Sequence, residues 1–139
     1  RYAEPIDFTE GLPSFASIDV SFISLNLILP ALAKILVDGG QVVALVKPQF
    51  EAGREQIGKN GIVREISVHE KVLETVTAFA VDYGFSVKGL DFSPIQGGHG
   101  NIEFLAHLEK TSSPHNDAQT SIKEVVAQAH KEFKKNEEE

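Results

Sequence analysis

Residues 41–47 read QVVALVK. A continuous apolar run of strand length, closed by a lysine, fits a strand covered on both faces, as in a parallel sheet. The segments around it alternate in type. FASIDVSF (15–22) reads as a short strand. SLNLILPALAKILV (24–37) carries Leu25, Ile28, Leu29, Leu32, Ile35 and Leu36 on one helical stripe. Pro30 is accommodated if regular helix begins only a few residues before it, and otherwise kinks the helix; Gly39-Gly40 ends it.

After a glycine-spaced loop, 48–64, Ser67 and Glu70 form a predicted capping box. The helix it opens has Val68, Val72, Leu73, Val76, Phe79, Ala80 and Tyr83 on one stripe and stops at Gly84. FSVKGLDF (85–92) is the next strand, and IEFLAHL (102–108) returns from the turn SPIQGGHGN (93–101) as its antiparallel partner. A polar stretch, 111–120, leads to a second predicted capping box, Ser121 with Glu124. The helix that follows presents Ile122, Val125, Val126, Ala129 and Phe133 and ends in an acidic tail. Strand and helix alternation of this kind predicts an α/β fold, a parallel sheet with right-handed crossovers and a terminal antiparallel hairpin.

Composition excludes several classes. The 139 residues suffice for one core. With no cysteine there is neither a disulfide framework nor a thiolate metal site, and no histidine spacing suggests a metal. Leu25 to Val37 is interrupted by Asn26, Pro30 and Lys34, and a membrane span needs about 20 apolar residues. These features predict a cytoplasmic protein with no membrane partner. The net charge of −7 confines any nucleic-acid contact to a local basic patch. The absence of methionine suggests a piece of a longer chain.

Ligands of open α/β sheets bind beyond the carboxyl ends of the strands. Lys47 ends one strand and Asp19 lies near the end of the preceding one; neighbouring strands stand roughly 4.8 Å apart. The hairpin turn falls on the same rim, and Glu103 begins the returning strand there. Asp19, Lys47 and Glu103 are therefore expected at one edge. Pattern alone leaves open a solvated strand end for Lys47 and a helix cap for Asp19. Arg54, Lys59 and Arg64, among the glycines of 48–64, form the best basic patch in an acidic chain and are expected as a phosphate-contacting lip, with a solvated loop the plain alternative. His99 is a further candidate contact in the glycine turn.

DVSFISL (19–25), LVKPQFEAGRE (45–55), GKNGIVR (58–64) and GNIEFL (100–105), in this order, resemble the C-terminal half of the TlyA, or hemolysin A, family of FtsJ-like ribosomal RNA ribose 2′-O-methyltransferases. The resemblance covers residues 1–110. It implies a partial Rossmann-like methyltransferase fold, S-adenosylmethionine as cofactor, and ribosomal RNA or a ribosomal subunit as partner. In the family's Lys-Asp-Lys-Glu set, Asp19 takes the Asp position, Lys47 the second Lys and Glu103 the Glu. The first Lys and the glycine-rich cofactor loop have no counterpart here, so only Asp19 is assigned to the cofactor. Residues 111–120 are then a linker and 121–139 an added amphipathic helix and tail.

A neutral Lys47 could accept the proton of the attacking hydroxyl. Carboxylates beside a lysine favour its charged form, and the alternative is a charged Lys47 that orients the hydroxyl and stabilises developing negative charge. Competing readings are a non-catalytic RNA- or protein-binding fragment and a membrane-active hemolysin. A sheet edge left bare beside strand 15–22 predicts a homodimer, swapping or aggregation.

Overall fold

Strand order shows how the sheet is assembled. The computed structural model describes residues 3–138, with side chains described to residue 134. Four strands, β1 (Phe15–Ile18), β2 (Gln41–Val46), β3 (Phe85–Phe92) and β4 (Phe104–Lys110), form one sheet in the order β1-β2-β4-β3. β1 and β2 are parallel, and β4 is antiparallel to both of its neighbours. The antiparallel strand is thus inserted between β2 and β3, and β2 and β3 point the same way.

The helices are α1 (Leu25–Ile35), α2 (Pro48–Glu51), α3 (Ile66–Asp82) and α4 (Ile122–Glu138). α3 contacts α1, α2 and α4, and both α3 and α4 contact β3. The helices therefore make a layer on one side of the sheet. Val42, Ala44 and Val46 of β2, with Phe104, Ala106 and Leu108 of β4, are buried beneath it. The other face of β2 carries Val43, 37 % exposed, and half-buried Leu45. The expectation that this strand is covered on both faces does not hold among the described residues, because the helices lie on one side only.

Several local expectations shift. β1 ends at Ile18 rather than at 22: the chain bends after Asp19, and Phe22 takes a positive φ of 64°. α1 starts at Leu25, five positions before Pro30, with the Ser24 hydroxyl accepting from the Asn26 amide at 3.0 Å. The Ser67–Glu70 capping box is not formed. α3 already begins at Ile66, with Glu65 at its N-cap and no side-chain cap. Val63, just upstream, is held at its amide by Asn101 and at its carbonyl by His69, which brings the chain into helix earlier. Ser121 likewise donates to the Ala118 carbonyl, 2.8 Å away, from within a 3-10 turn. β3 and β4 are joined not by a tight turn but by residues 93–103, which include a 3-10 turn at Gly98–Gly100.

The apolar stripes predicted for α3 and α4 are realised, and Leu25, Leu29 and Leu36 of the stripe predicted over 24–37 are buried. Val68, Val72, Leu73, Val76 and Ala80 of α3, and Ile122, Val126, Ala129 and Phe133 of α4, are buried. Residues 111–120 run beside β3, with the Val87 amide donating to His115 and the Asp117 amide donating to Val87, each at 2.9 Å. At the far end of α1, Lys110 donates to the Ala33 and Leu36 carbonyls at 2.5 and 2.7 Å, placing a cation where free carbonyls accumulate. Arg1, Tyr2 and the acidic side chains of the tail lie outside what is described.

Candidate active site

Lys47 follows the last residue of β2 and is the N-cap of α2, whose first residue is Pro48. A proline suits that first position because its missing amide would have no helical partner there. The strand thereby ends, and the lysine faces the rim. Its amino group lies 2.5 Å from Asp19 Oδ1 and donates to Ser21 Oγ at 3.2 Å. The lysine side chain is 12 % exposed and the Asp19 side chain 71 %. The cation is thus enclosed while its carboxylate partner faces outward.

Glu103 precedes β4, and the pairing of Val46 with Phe104 sets it across from Lys47. It is 6 % exposed and accepts from Gln49 Nε2 at 2.7 Å. The turn at 97–100 closes over it. A Cβ added to Gly97 would collide with the Glu103 carboxyl group, which lies well inside contact distance. Glycine is required here for space, not for φ, which is −80°.

Asp19, Lys47 and Glu103 line one cleft of about 530 Å³. Gly97, Gly98 and His99 form one wall. Phe22 stands at the mouth, 89 % exposed, with its ring centroid 4.8 Å from that of Phe50. The Lys47 ammonium is 6.0 Å from the Phe50 centroid, at the edge of cation–π range.

Three residues that pattern reading left without a role hold this site. Asn101 is 2 % exposed. Its carbonyl oxygen accepts from the Val63 amide at 2.9 Å, and its amide nitrogen donates to the Gly61 and Gly98 carbonyls, each at 3.0 Å. It ties the loop before α3 to the turn over Glu103. Glu51 accepts from the Ser24 hydroxyl at 2.6 Å and the Leu25 amide at 2.8 Å. It thus fastens α2 to the amino end of α1; burial pushes its carboxyl up, against those two hydrogen bonds. Gln49 positions Glu103. All three lie inside the quoted motifs, so motif membership was their only signal.

Of the expected lip, Arg54, Lys59 and Arg64 are all exposed, and none makes an ion pair among the described residues. Arg54 and Lys59 sit in 3-10 turns, and Arg64 precedes α3. His99 has φ 58° in the glycine turn. No group of three or more potential metal ligands occurs among the described residues.

Of the residues described, Asp19 is the one that could face an S-adenosylmethionine cofactor. The exposed Asp19 carboxylate, at the carboxyl end of β1, suits a cationic ligand beside the cleft.

Comparison with known proteins shows the family. The chain is 55% identical over 137 residues to "Putative rRNA methyltransferase YqxC" of Bacillus subtilis, covering 96% of this chain and 49% of that protein. It is 43% identical to "Hemolysin A" of Brachyspira hyodysenteriae over 101 residues, 73% of this chain and 42% of that protein. Identity is 38% over 90 residues to "16S/23S rRNA (cytidine-2'-O)-methyltransferase TlyA" of Mycobacterium tuberculosis, 65% of this chain and 34% of that protein. The chain therefore spans about half or less of these relatives. Solved structures of hemolysins, both so named with the qualifier "putative", superpose closely. That from Streptococcus thermophilus has 94% identity and TM-score 0.96 over 99% of this chain and 50% of that one. That from Lactococcus lactis has 56% identity and TM-score 0.85 over 91% and 60%. Residues 1–110 match the FtsJ-like methyltransferase family, and the chain belongs to that family.

Proposed function

We propose that this chain forms part of an enzyme that transfers a methyl group from S-adenosylmethionine to a ribose 2′-hydroxyl of ribosomal RNA. The observation that carries the reading is the enclosed Lys47, ion-paired to Asp19 at the mouth of a cleft that also holds Glu103. When bound, S-adenosylmethionine supplies an electrophilic methyl group. Asp19 is the residue of this chain assigned to face it.

Lys47 is ion-paired to Asp19 and acts as an ammonium. In this role its ammonium donates to the sugar oxygen, orients the hydroxyl and stabilises the negative charge that develops as the proton leaves. Glu103, held by Gln49, takes up the hydroxyl proton or positions the sugar. Phe22 and Phe50 offer an aromatic surface against which a base can stack. Alignment of the hydroxyl supplies much of the rate in such a site.

Residues 1–110 carry the catalytic portion in this reading, 111–120 connect, and 121–139 add the terminal helix and tail. Arg54, Lys59 and Arg64 form the phosphate-contacting lip. The partner is ribosomal RNA within a ribosomal subunit, and the compartment is therefore the cytoplasm. No helix among the described residues is long and apolar enough to cross a membrane.

The test is methyl transfer by the complete protein to ribosomal RNA, read as a 2′-O-methylated nucleotide that resists alkaline cleavage. Lys47→Ala should abolish the product while RNA binding persists. Product undiminished in Lys47→Ala would sink the assignment of that residue, and methylation on a base would sink the reaction. Calorimetric titration with S-adenosylmethionine tests the cofactor. Arg54→Glu with Lys59→Glu should weaken RNA binding in a filter assay, and unchanged binding would remove the lip.

A further inference from the structure

A second hollow, about 590 Å³, lies outside the cleft. The loop before α3 forms one bank and residues 130–134 of α4 the other. Its floor is apolar, with Val63, Ile102 and Phe133 buried. Its rim carries Arg64, Lys131 and Lys134. All three are exposed, and none is ion-paired among the described residues. No described aspartate or glutamate lines the hollow. In a chain of net charge −7, three cations around one groove with no ion-pair partner among the described residues are a local reversal of sign.

The groove is preformed. α4 is fastened through His130, whose Nε2 is 2.7 Å from His69 Nδ1; His69 Nε2 lies 3.1 Å from the Val63 carbonyl. A carbonyl only accepts, so His69 donates from Nε2 and accepts at Nδ1 from His130. Phe133 packs edge-on against Phe92 at 6.0 Å. The bank made by α4 is thus held to the loop it faces.

Groove and cleft share a ridge. Gly61 and His99 line the cleft, while their chain neighbours Ile62 and Gly100 line the groove. Asn101 binds the two halves of that ridge together.

We propose that this groove holds the sugar-phosphate backbone of the RNA strand flanking the nucleotide in the cleft, with Lys131 and Lys134 of the terminal helix as phosphate contacts beside Arg64. Charge complementarity selects the occupant. Lysine acts as a point charge on phosphate and arginine as a fork, and an apolar floor between cations suits single-stranded RNA. The placement beside the cleft rests on the RNA-methyltransferase reading; the groove's affinity for RNA does not.

The experiment compares the complete protein with its Lys131→Gln, Lys134→Gln double variant, using a single-stranded ribosomal RNA fragment between 50 and 200 mM salt. Each lost phosphate contact lowers the slope of log affinity against log salt by roughly 0.7 for single strands, so the pair should lower it by about 1.4. Affinity near 0.1 M salt should fall on the order of 10-fold. KM for RNA should rise in step, with kcat at saturating RNA retained. Lys123→Gln, exposed on the same helix but outside the groove, should do neither. A double variant with the wild-type slope overturns the proposal, as does an equal loss in Lys123→Gln. If the slope changes but even the unaltered protein transfers no methyl group, the groove stands and the methyltransferase reading falls. If transfer proceeds and the slope is unmoved, the reverse holds.

Discussion

Gly97 and Glu103 share one volume: the buried Glu103 carboxylate occupies the space where a side chain at position 97 would begin. Since φ at Gly97 is −80°, any residue could adopt the backbone, and only the collision forbids one. Gly97→Ala must displace the carboxylate or the turn. Overpacking of this kind costs about 1–3 kcal/mol, and a misplaced group in an active site costs on the order of 100-fold in rate. Single-turnover methylation should fall by that order while RNA affinity holds; an unimpaired rate would remove Glu103 from the site.

Asn101 satisfies three backbone groups from a buried position. Asn101→Ala leaves the Val63 amide without its partner and frees the turn from the loop before α3. A buried unsatisfied group costs about 1–3 kcal/mol, so urea unfolding should show a loss of about 2 kcal/mol. Methyl transfer should fall with it, because the same bonds shape the wall of the cleft. A variant as stable as the parent would contradict this account.

His69 is fully buried, and its ionisation is lowered from 6.5 to about 4, first by burial and then by His130, against the bond to Val63. Burial lowers His130 in the same direction. The unfolded chain binds the proton more readily than the native one, so stability rises with pH across this interval. It is complete above about 6.5 and is lost progressively as pH falls toward about 4. At 1.36 kcal/mol per unit this amounts to about 3 kcal/mol for His69. His69→Gln, which can still donate to Val63, should flatten the pH dependence of urea midpoints over that range; an unchanged profile would assign the effect to other groups.

Phe22 is exposed at the mouth of the cleft in a left-handed conformation, φ 64°. For a residue other than glycine this costs about 1–2 kcal/mol. Phe22→Gly should leave stability equal or raise it by up to about 1 kcal/mol. Methyl transfer should nevertheless drop, through a higher KM for RNA, because stacking is worth about 1–3 kcal/mol per base. Equal loss of stability and activity would mean that the ring is structural.

β1 pairs with β2 on one side and with no other described strand, and Phe15 on it is 58 % exposed. The isolated 139-residue chain should self-associate through this edge. Sedimentation velocity should show dimers or larger species at micromolar concentration. A clean monomer there would rule the edge out as an interface under those conditions.

Much of the candidate site was legible in the chain. Lys47 follows an apolar run and precedes a proline, which is a local signal, and Asp19 and Glu103 followed once strand directions were assigned. The apolar stripes of α3 and α4 were equally visible, because period 3.6 is written residue by residue. Helix starts were less so: Ser67 with Glu70 has the spacing of a capping box, yet bonds to Val63 from Asn101 and His69 accompany an earlier start.

Read residue by residue, the chain already shows which segments become strand or helix, where a lysine meets the sheet rim, and how far it resembles the FtsJ-like family. The folded chain adds that β4 enters between β2 and β3, that Glu103 rests against Gly97, that His130 reaches His69, and that α4 places two lysines beside Arg64. The division has a physical cause. Secondary structure follows from periodicity within a few residues. Strand order, burial of a polar side chain and the sign of a groove depend on groups distant in the chain, such as Val63 and Asn101 or His69 and His130, whose meeting is set by packing of the whole core.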